Sequence, residues 1–352
     1  MPGPPLISVV LPVYHVREYL AECLDSVLAE HEPAIEVIAI DDASPDGCGA
    51  LLDDRASKDR RLTVVHSDRN LGPGNARNAG LARAKGCYVW FIDPDDVLPA
   101  RTLPAIASRL AQQSPDVLLI GYEQLYPDGS TAPSEDSWLL GSAPPGTFCI
   151  ADAPQLVNLT MTSWSKVLRR EFLIGLNEPF RQGIHEDVPV TCAALLAGRL
   201  AAFARVCYRY RRSRHGSFMA TSGRNHLAIF DAYADVFGMV GKRLAACDPA
   251  ITPEVRAAVF ERAIWHYASV LQSGRGAGPL RWGGMVPGRD RRAFFRRMHA
   301  DFIRYVPAGY RLPPGPRGAK LRLIARGAYR TYELLEPLNH LRIAARRPRS
   351  RR

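Results

Sequence analysis

The stretch Ile7–Val13 is dominated by apolar residues and reads as a strand buried on both faces. Directly after it, Val16, Tyr19, Leu20, Cys23, Leu24, Val27 and Leu28 recur at the three- and four-residue spacing of one helical stripe. That spacing predicts a helix packed back on the strand. The alternation continues, predicting strands at 35–40, 62–66, 87–92 and 116–120 and helices near 46–58, 74–85 and 99–113. Short apolar strands separated by amphipathic helices build an open, mostly parallel sheet flanked by helices, because each crossover lays its helix over one face. The expected fold class is α/β. Residues 121–150, rich in Gly, Pro, Ser and acidic residues, lack a sustained period and read as a long surface loop or a pair of edge strands. A helix near 187–197 and a strand near 200–210 follow, and from 224 the pattern is helical, near 225–245, 252–272, 290–305 and 318–335. The expected organisation is a catalytic-size α/β domain over 1–220, a helical extension over 221–340 and a basic, disordered tail over 341–352.

Composition narrows the class. With 352 residues, 47% hydrophobic and 23% charged, the chain is long and apolar enough for a substantial core, which excludes disorder throughout. Its 7 cysteines include no C-x-x-C pair, a usage that suits a reducing cytosol and argues against a metal-thiolate site. No run of about 18 apolar residues occurs, and the start, MPGPPLISVV, lacks the basic-then-apolar layout of a signal peptide. A cytoplasmic chain is expected. The formal charge of +11 is concentrated at one end: residues 281–352 hold 19 Arg or Lys against 4 Asp or Glu, a balance of +15, which leaves residues 1–280 at −4. A nucleic-acid partner is not expected, since the charge is not accompanied by a recognition motif.

Candidate chemistry lies where predicted strands end, because loops converge there in an open parallel sheet. The strand IEVIAI runs into Asp41-Asp42-Ala43-Ser44-Pro45-Asp46, and CYVWFI runs into Asp93-Pro94-Asp95-Asp96. Three carboxylates within four residues repel one another, and a divalent cation is the simplest way to offset that. Oxygen ligands point to Mg2+ or Mn2+ completed by substrate phosphates. The alternative for Asp41, Asp42 and Asp46 is an Asx-type turn capping the next helix. The segment Gly72-Pro73-Gly74-Asn75-Ala76-Arg77 opens a helix after the third strand, but Arg77 stands where a dinucleotide fingerprint needs its last glycine. Arg77 could still pair with a phosphate at that helix start, or be a solvated surface charge.

Taken together, Ser8-Val9-Val10-Leu11-Pro12-Val13-Tyr14, the Asp41-Asp42-x-Ser44-x-Asp46 cluster, Ala76-Arg77-Asn78 and Phe91-Ile92-Asp93-Pro94-Asp95-Asp96 resemble the family 2, GT-A-fold inverting glycosyltransferases. The resemblance continues through Ser165-Lys166-Val167-Leu168, His185-Glu186-Asp187-Val188 and Tyr210-Arg211-Arg212, and covers residues 6–218. It implies a nucleotide-binding α/β sheet and transfer of a sugar from a nucleotide sugar. Carried over by position, Pro12 and Tyr14 would line the nucleoside pocket, with Asp41 beside Asp42, which would accept from the base ring. Arg77 would touch the diphosphate. Asp93 would lie near the donor ribose and Asp95 would ligate the metal, with Asp93 and His215 as further metal candidates. Asp187, with Glu186 beside it, would be the catalytic base, the alternative being an acidic helix start. Trp164 and Lys166 are acceptor-side candidates, or simply core and surface residues.

Inverting transfer needs two separate carboxylate functions, one that deprotonates the acceptor hydroxyl and one that holds a metal against the departing diphosphate. Departures from the family pattern at His15, Ala43 and Pro45 leave the nucleotide open. A processive synthase is disfavoured, since Gly278 stands where a Q-x-x-R-W motif ending at Arg281-Trp282 would need glutamine. The expected function is metal-dependent inverting transfer from a nucleotide-diphosphate sugar, uridine-linked by expectation, to a cell-envelope glycan or polyol-phosphate hydroxyl. A nucleotidyltransferase of similar fold and a non-catalytic glycan-binding protein are the alternatives. Residues 318–335 place Leu321, Ile324, Ala328, Thr331, Tyr332 and Leu335 along one side of a predicted helix, with Lys320, Arg322, Arg326 and Arg330 charged. That segment and the arginine-rich end could rest on an anionic membrane surface or grip a polyanionic acceptor, or the helix could merely dock on the catalytic domain.

Overall fold

A computed structural model of the chain describes residues 4–30, 33–212, 226–272 and 286–335. Two compact units emerge: one comprises 1–216 with 232–255, and the other 217–231 with 256–352. The first therefore recruits a later segment that the expected boundary at 220 assigns to the extension.

In the first unit the expected α/β alternation is present. Strand β1 (Ile7–Val13), helix α1 (Arg17–Leu28), β2 (Ile35–Asp41), α2 (Cys48–Lys58), β3 (Leu62–His66), α3 (Pro73–Leu81), β4 (Tyr88–Phe91) and α4 (Thr102–Gln113) follow in order. They continue through β5 (Val117–Leu125), β6 (Thr131–Pro133), α5 (Ser137–Gly141), β7 (Thr147–Phe148), β8 (Lys166–Arg169), α6 (Arg170–Gly175), α7 (Val188–Ala197) and β9 (Leu200–Arg211). The sheet order is β3-β2-β1-β4-β8-β5-β9-β7, with β6 paired to β5. Strands β1 to β4 are parallel, and Val13 of β1 stands opposite Asp41 of β2. The predicted α1 stripe is buried at Leu20, Cys23, Leu24 and Val27 against Val9, Leu11 and Val13, in one apolar core beneath the sheet. A core leucine there contributes roughly 1.5–3 kcal/mol by leaving water.

Some boundaries move for local reasons. Helix α2 starts at Cys48 because Asp46 accepts the Cys48 N–H at 3.2 Å and, at the start of α1, the Arg17 N–H at 2.9 Å. One short side chain thus ties the starts of two helices, where the Asx alternative concerned only the second. Burial alone would raise the Asp46 carboxyl, but these bonds and that from Ser44 hold it down to about 2. The edge-strand reading of 121–150 fits β6, β7 and the far end of β5. Strand β8 escapes the hydrophobic pattern, since its four residues KVLR are too few to show a period; it is antiparallel to both β4 and β5.

Helix α8 (Ala228–Ala245) spans the boundary between the units. The second unit contains most of α9 (Pro253–Gln272), together with α10 (Arg291–Tyr305) and α11 (Gly315–Ala325). Its core is aromatic: the Phe230 ring lies 4.5 Å from that of Tyr267 and 4.7 Å from that of Phe294. The single helix expected over 318–335 is interrupted. Gly327 takes a φ of +64, which a side-chain-bearing residue rarely adopts, and ends α11 before a new helical turn from 329. Leu321, Ile324 and Tyr332 are buried, but Thr331 and Leu335 are exposed, so the predicted stripe does not run unbroken. The basic tail and the Arg281-Trp282 site lie outside the described residues. Among the described residues no helix is long and apolar enough to cross a membrane.

Candidate active site

The chain steps outward from β1 to β2 and β3, then returns to place β4 on the other side of β1. This reversal opens a crevice at the C-terminal ends of β1 and β4, the place where open α/β sheets bind ligands. Tyr14, just past β1, is 42% exposed there, while Pro12 is buried within the strand. Asp41 accepts the Ser44 N–H at 3.0 Å and lies 2.9 Å from His66 Nδ1. Asp42 is 2% exposed, and its two oxygens accept the N–H groups of Leu71 and Gly72 at 2.9 and 2.8 Å. Its role in this structure is to hold the loop that starts α3, a use of the carboxylate that the expected contact with a base ring did not include.

On the other side of the crevice, the loop after β4 alternates. Asp93 and Asp95 are half-buried, whereas Pro94 and Asp96 turn inward and are buried. Tyr208 on β9 accepts the Asp93 N–H at 3.1 Å and donates its hydroxyl to Asp96 at 2.7 Å. Arg211 donates its N–H to Asp96 at 2.7 Å and its Nε to the Asp95 carbonyl at 2.8 Å. Burial, with Asp95 and Asp93 close by, pushes the Asp96 carboxyl well above the usual carboxylate range. Asp93 and Asp95 are therefore the more exposed carboxylates of the run, and Asp96 anchors the loop. Tyr208 was not foreseen as a site residue, and Arg211 was noticed only within a motif.

The Glu186-Asp187 pair reaches the same crevice from the start of α7. Asp187 is the residue preceding that helix, yet its side chain makes no capping bond; it accepts the Ser163 N–H at 3.2 Å. Burial and the neighbouring Glu186 push its carboxyl up to about 7, against the opposing pull of Arg77. A carboxyl that titrates near neutrality suits proton abstraction. Arg77 is buried, with one terminal nitrogen on Glu186 Oε1 at 2.5 Å and the other on Asp93 Oδ1 at 2.7 Å. It is not the solvated charge considered from sequence: both terminal nitrogens face carboxylates of the protein.

The profile described as Glycosyl transferase family 2 matches residues 8–173, from β1 into α6 and across both strand-end Asp clusters. Over this stretch the chain matches the family 2 glycosyltransferases. Glu186 and Asp187 lie beyond the matched stretch. Among its relatives is the uncharacterized glycosyltransferase EpsJ of Bacillus subtilis, 29% identical over 214 residues, which is 59% of this chain and 62% of that protein. The chain thus spans less than two-thirds of that relative. Poly(ribitol-phosphate) beta-N-acetylglucosaminyltransferase TarS of Staphylococcus aureus is 29% identical over 221 residues, 61% of this chain and 37% of that one. The crystal structure of TarS in complex with UDP-GlcNAc shares the fold, with a TM-score of 0.69 and 22% identity over 95% of this chain and 91% of that one. The mannosyltransferase PcManGT from Pyrobaculum calidifontis, solved with GDP-Man and Mn2+, gives a TM-score of 0.51 at 17% identity, covering 95% of this chain and 88% of that one. The fold is the GT-A fold.

For Trp164 and Lys166 the structure favours the core alternative over an acceptor-side role. The Trp164 ring, 3% exposed, stacks on the rings of Tyr208 at 4.6 Å and Tyr210 at 5.5 Å. Lys166 is 1% exposed, with Nζ donating to the carbonyls of Thr160 and Thr162 and to Ser165 Oγ. Both support the floor of the site. A buried ammonium must spend its donors on internal acceptors, which leaves no charge to present to an acceptor sugar. His215 lies outside the described residues. Among the described residues no three His, Cys, Asp or Glu side chains form a ready-made metal cage. Mg2+ or Mn2+ needs only one or two carboxylates when phosphates and waters complete the shell, and half-buried Asp93 and Asp95 fit this requirement.

Proposed function

We propose that this chain is a metal-dependent inverting glycosyltransferase that moves a sugar from a uridine-diphosphate sugar to a hydroxyl of a polyol-phosphate or cell-envelope glycan acceptor. The observation that carries this reading is the juxtaposition of two carboxylate sets with different environments. Asp93 and Asp95 stand half-buried after β4, while Asp187 is pushed up to about 7 and tied through Glu186 and Arg77 to the same loop. In this reading Asp187 takes the proton of the acceptor hydroxyl, and Glu186 helps hold that segment. Asp95 and Asp93 would hold Mn2+ or Mg2+, which when bound supplies charge neutralisation on the departing diphosphate. Tyr14, exposed beside Pro12, Asp41 and Asp42, offers a ring for the nucleoside. The uridine donor and polyol-phosphate acceptor are supported by the name and the bound UDP-GlcNAc of TarS, and the metal by the Mn2+ of PcManGT.

The test is a screen of nucleotide sugars for Mn2+-dependent thermal stabilisation, followed by transfer assays on poly(ribitol phosphate) and envelope glycans. A uridine-linked donor should raise the melting temperature, since it binds only the folded form. Stabilisation by nucleoside triphosphates alone, with release of pyrophosphate on turnover, would replace this reading with nucleotidyl transfer.

Peripheral attachment to an anionic membrane is a second part of the proposal. It is supported by the exposed side of α10, where Arg292, Arg296 and Arg304 accompany Ala293, Ala300 and Ile303, while Arg297 beside them pairs with Asp231 at 2.7 Å.

A further inference from the structure

The segment that carries the candidate base is fastened to α3 at three successive points. A Cβ on Gly74 would lie 1.9 Å from the Arg181 carbonyl oxygen, so backbone meets backbone there and only glycine fits. Asn78 and Phe180 exchange two hydrogen bonds, Nδ2 to the Phe180 carbonyl at 2.8 Å and the Phe180 N–H to Oδ1 at 3.0 Å. Between these two contacts, Arg77 reaches Glu186 with one terminal nitrogen and Asp93 with the other. Its guanidinium lies 5.7 Å from the centre of the Phe180 ring, and its Nε has no hydrogen-bond partner. Both terminal nitrogens of this buried arginine are thus turned to carboxylates of the protein.

We propose that Arg77 is a positioning residue: its fork joins the donor-side carboxylate Asp93 to the base-side pair Glu186-Asp187, so that transfer depends on it and nucleotide binding does not. This rests on the transferase reading of the site. Asp93 and Glu186 sit on segments that are far apart in sequence, and Arg77 contacts both. Without a cation between them the two carboxylates would face each other as like charges in a poorly hydrated place and move apart. A guanidinium suits this because its planar fork binds two carboxylates at once, whereas an ammonium is a single point charge. A shift of about 1 Å in a reacting group costs on the order of 10²-fold in rate.

The experiment compares the wild-type chain with Arg77→Gln and Arg77→Lys by three measurements. Calorimetry with UDP and with uridine should give dissociation constants within about threefold of wild type for both variants. Transfer should fall by roughly 10²-fold in kcat for Arg77→Gln, with KM for the donor little changed, and be partly restored in Arg77→Lys, because positioning and not ground-state binding is lost. Hydrogen exchange over residues 180–187 should quicken in Arg77→Gln relative to β1. A loss of UDP affinity beyond tenfold with uridine binding intact would overturn the proposal in favour of a diphosphate contact, and an unchanged kcat would overturn it outright. The exchange measurement needs no turnover: unchanged protection over 180–187 removes the bridge even if the chain proves to transfer no sugar, and quickened exchange in an inactive wild-type chain would refute only the transferase reading. If Arg77→Gln does not fold, Arg77→Lys alone decides: normal kcat with weakened UDP binding overturns the proposal, and lowered kcat with normal UDP binding supports it.

Discussion

Tyr208 donates its hydroxyl to Asp96 at 2.7 Å across a sequence separation of 112 residues, and the same oxygen receives the backbone N–H of Asp93. One phenol on β9 thereby sets the height and tilt of the loop that presents Asp93 and Asp95. Stacking on Trp164 keeps the ring in place.

Replacing Tyr208 by Phe keeps that stacking and removes only the hydroxyl. Asp96 then loses a buried donor and the Asp93 N–H its acceptor, which should destabilise the chain by about 1–3 kcal/mol. Urea unfolding should show a lowered midpoint with an unchanged slope, and UDP binding should weaken with it. Stability and binding both within error of wild type would mean that the hydroxyl does not hold the loop.

For Asp95→Asn the expectation is a folded protein that has lost Mn2+-dependent nucleotide binding. The substitution removes a ligand charge from a half-buried polar position and no core volume. Calorimetry of UDP with and without Mn2+ reads this directly, and binding that still depends on the metal in the variant would move the metal site away from Asp95.

Asp187→Asn should lower turnover by roughly 10²–10⁴-fold with donor affinity nearly kept. Near-normal turnover would pass the role of base to Glu186. With the Asp187 carboxyl raised to about 7, the kcat/KM of the wild type should fall below neutral pH as the base takes up a proton. The same shift has a stability sign. The folded form holds this proton more tightly than the unfolded chain, whose aspartates titrate near 3.9, so between about pH 4 and 7 the contribution of Asp187 to stability declines as pH rises. Asp187→Asn lacks that decline, and its stability relative to wild type should improve from pH 4 to 7. A difference that does not vary with pH would mean that Asp187 titrates normally.

Attachment to anionic lipid should appear as sedimentation with phosphatidylserine-containing vesicles and not with neutral ones, weakening as salt is raised, because exposed charges are screened. Each basic residue near such a surface contributes about 1 kcal/mol, so Arg292→Glu combined with Arg296→Glu should reduce binding at least tenfold. Equal sedimentation of this double variant, or no binding of the wild type at low salt, would remove α10 from membrane attachment.

Much of this protein is decided by neighbours in sequence. The β1–α1 unit follows from apolar spacing within 22 residues, and the two strand-end clusters follow from carboxylates placed where apolar runs stop. Those features arise from contacts a few residues apart, which a linear pattern encodes. Other features depended on the way the chain returns to itself. Nothing near Arg77 announces that its partners are Asp93 and Glu186, the latter 109 residues away, and the residue type alone suits a phosphate equally well. Trp164 and Lys166 look like ligand residues in isolation and become core once β8 is inserted between β4 and β5. Asp93 and Asp96 are the same residue type three positions apart, yet one faces the crevice and the other lies under Tyr208. Charge and hydrogen-bonding capacity belong to the residue, but burial, and with it the use made of that charge, is set by which distant segment closes over it.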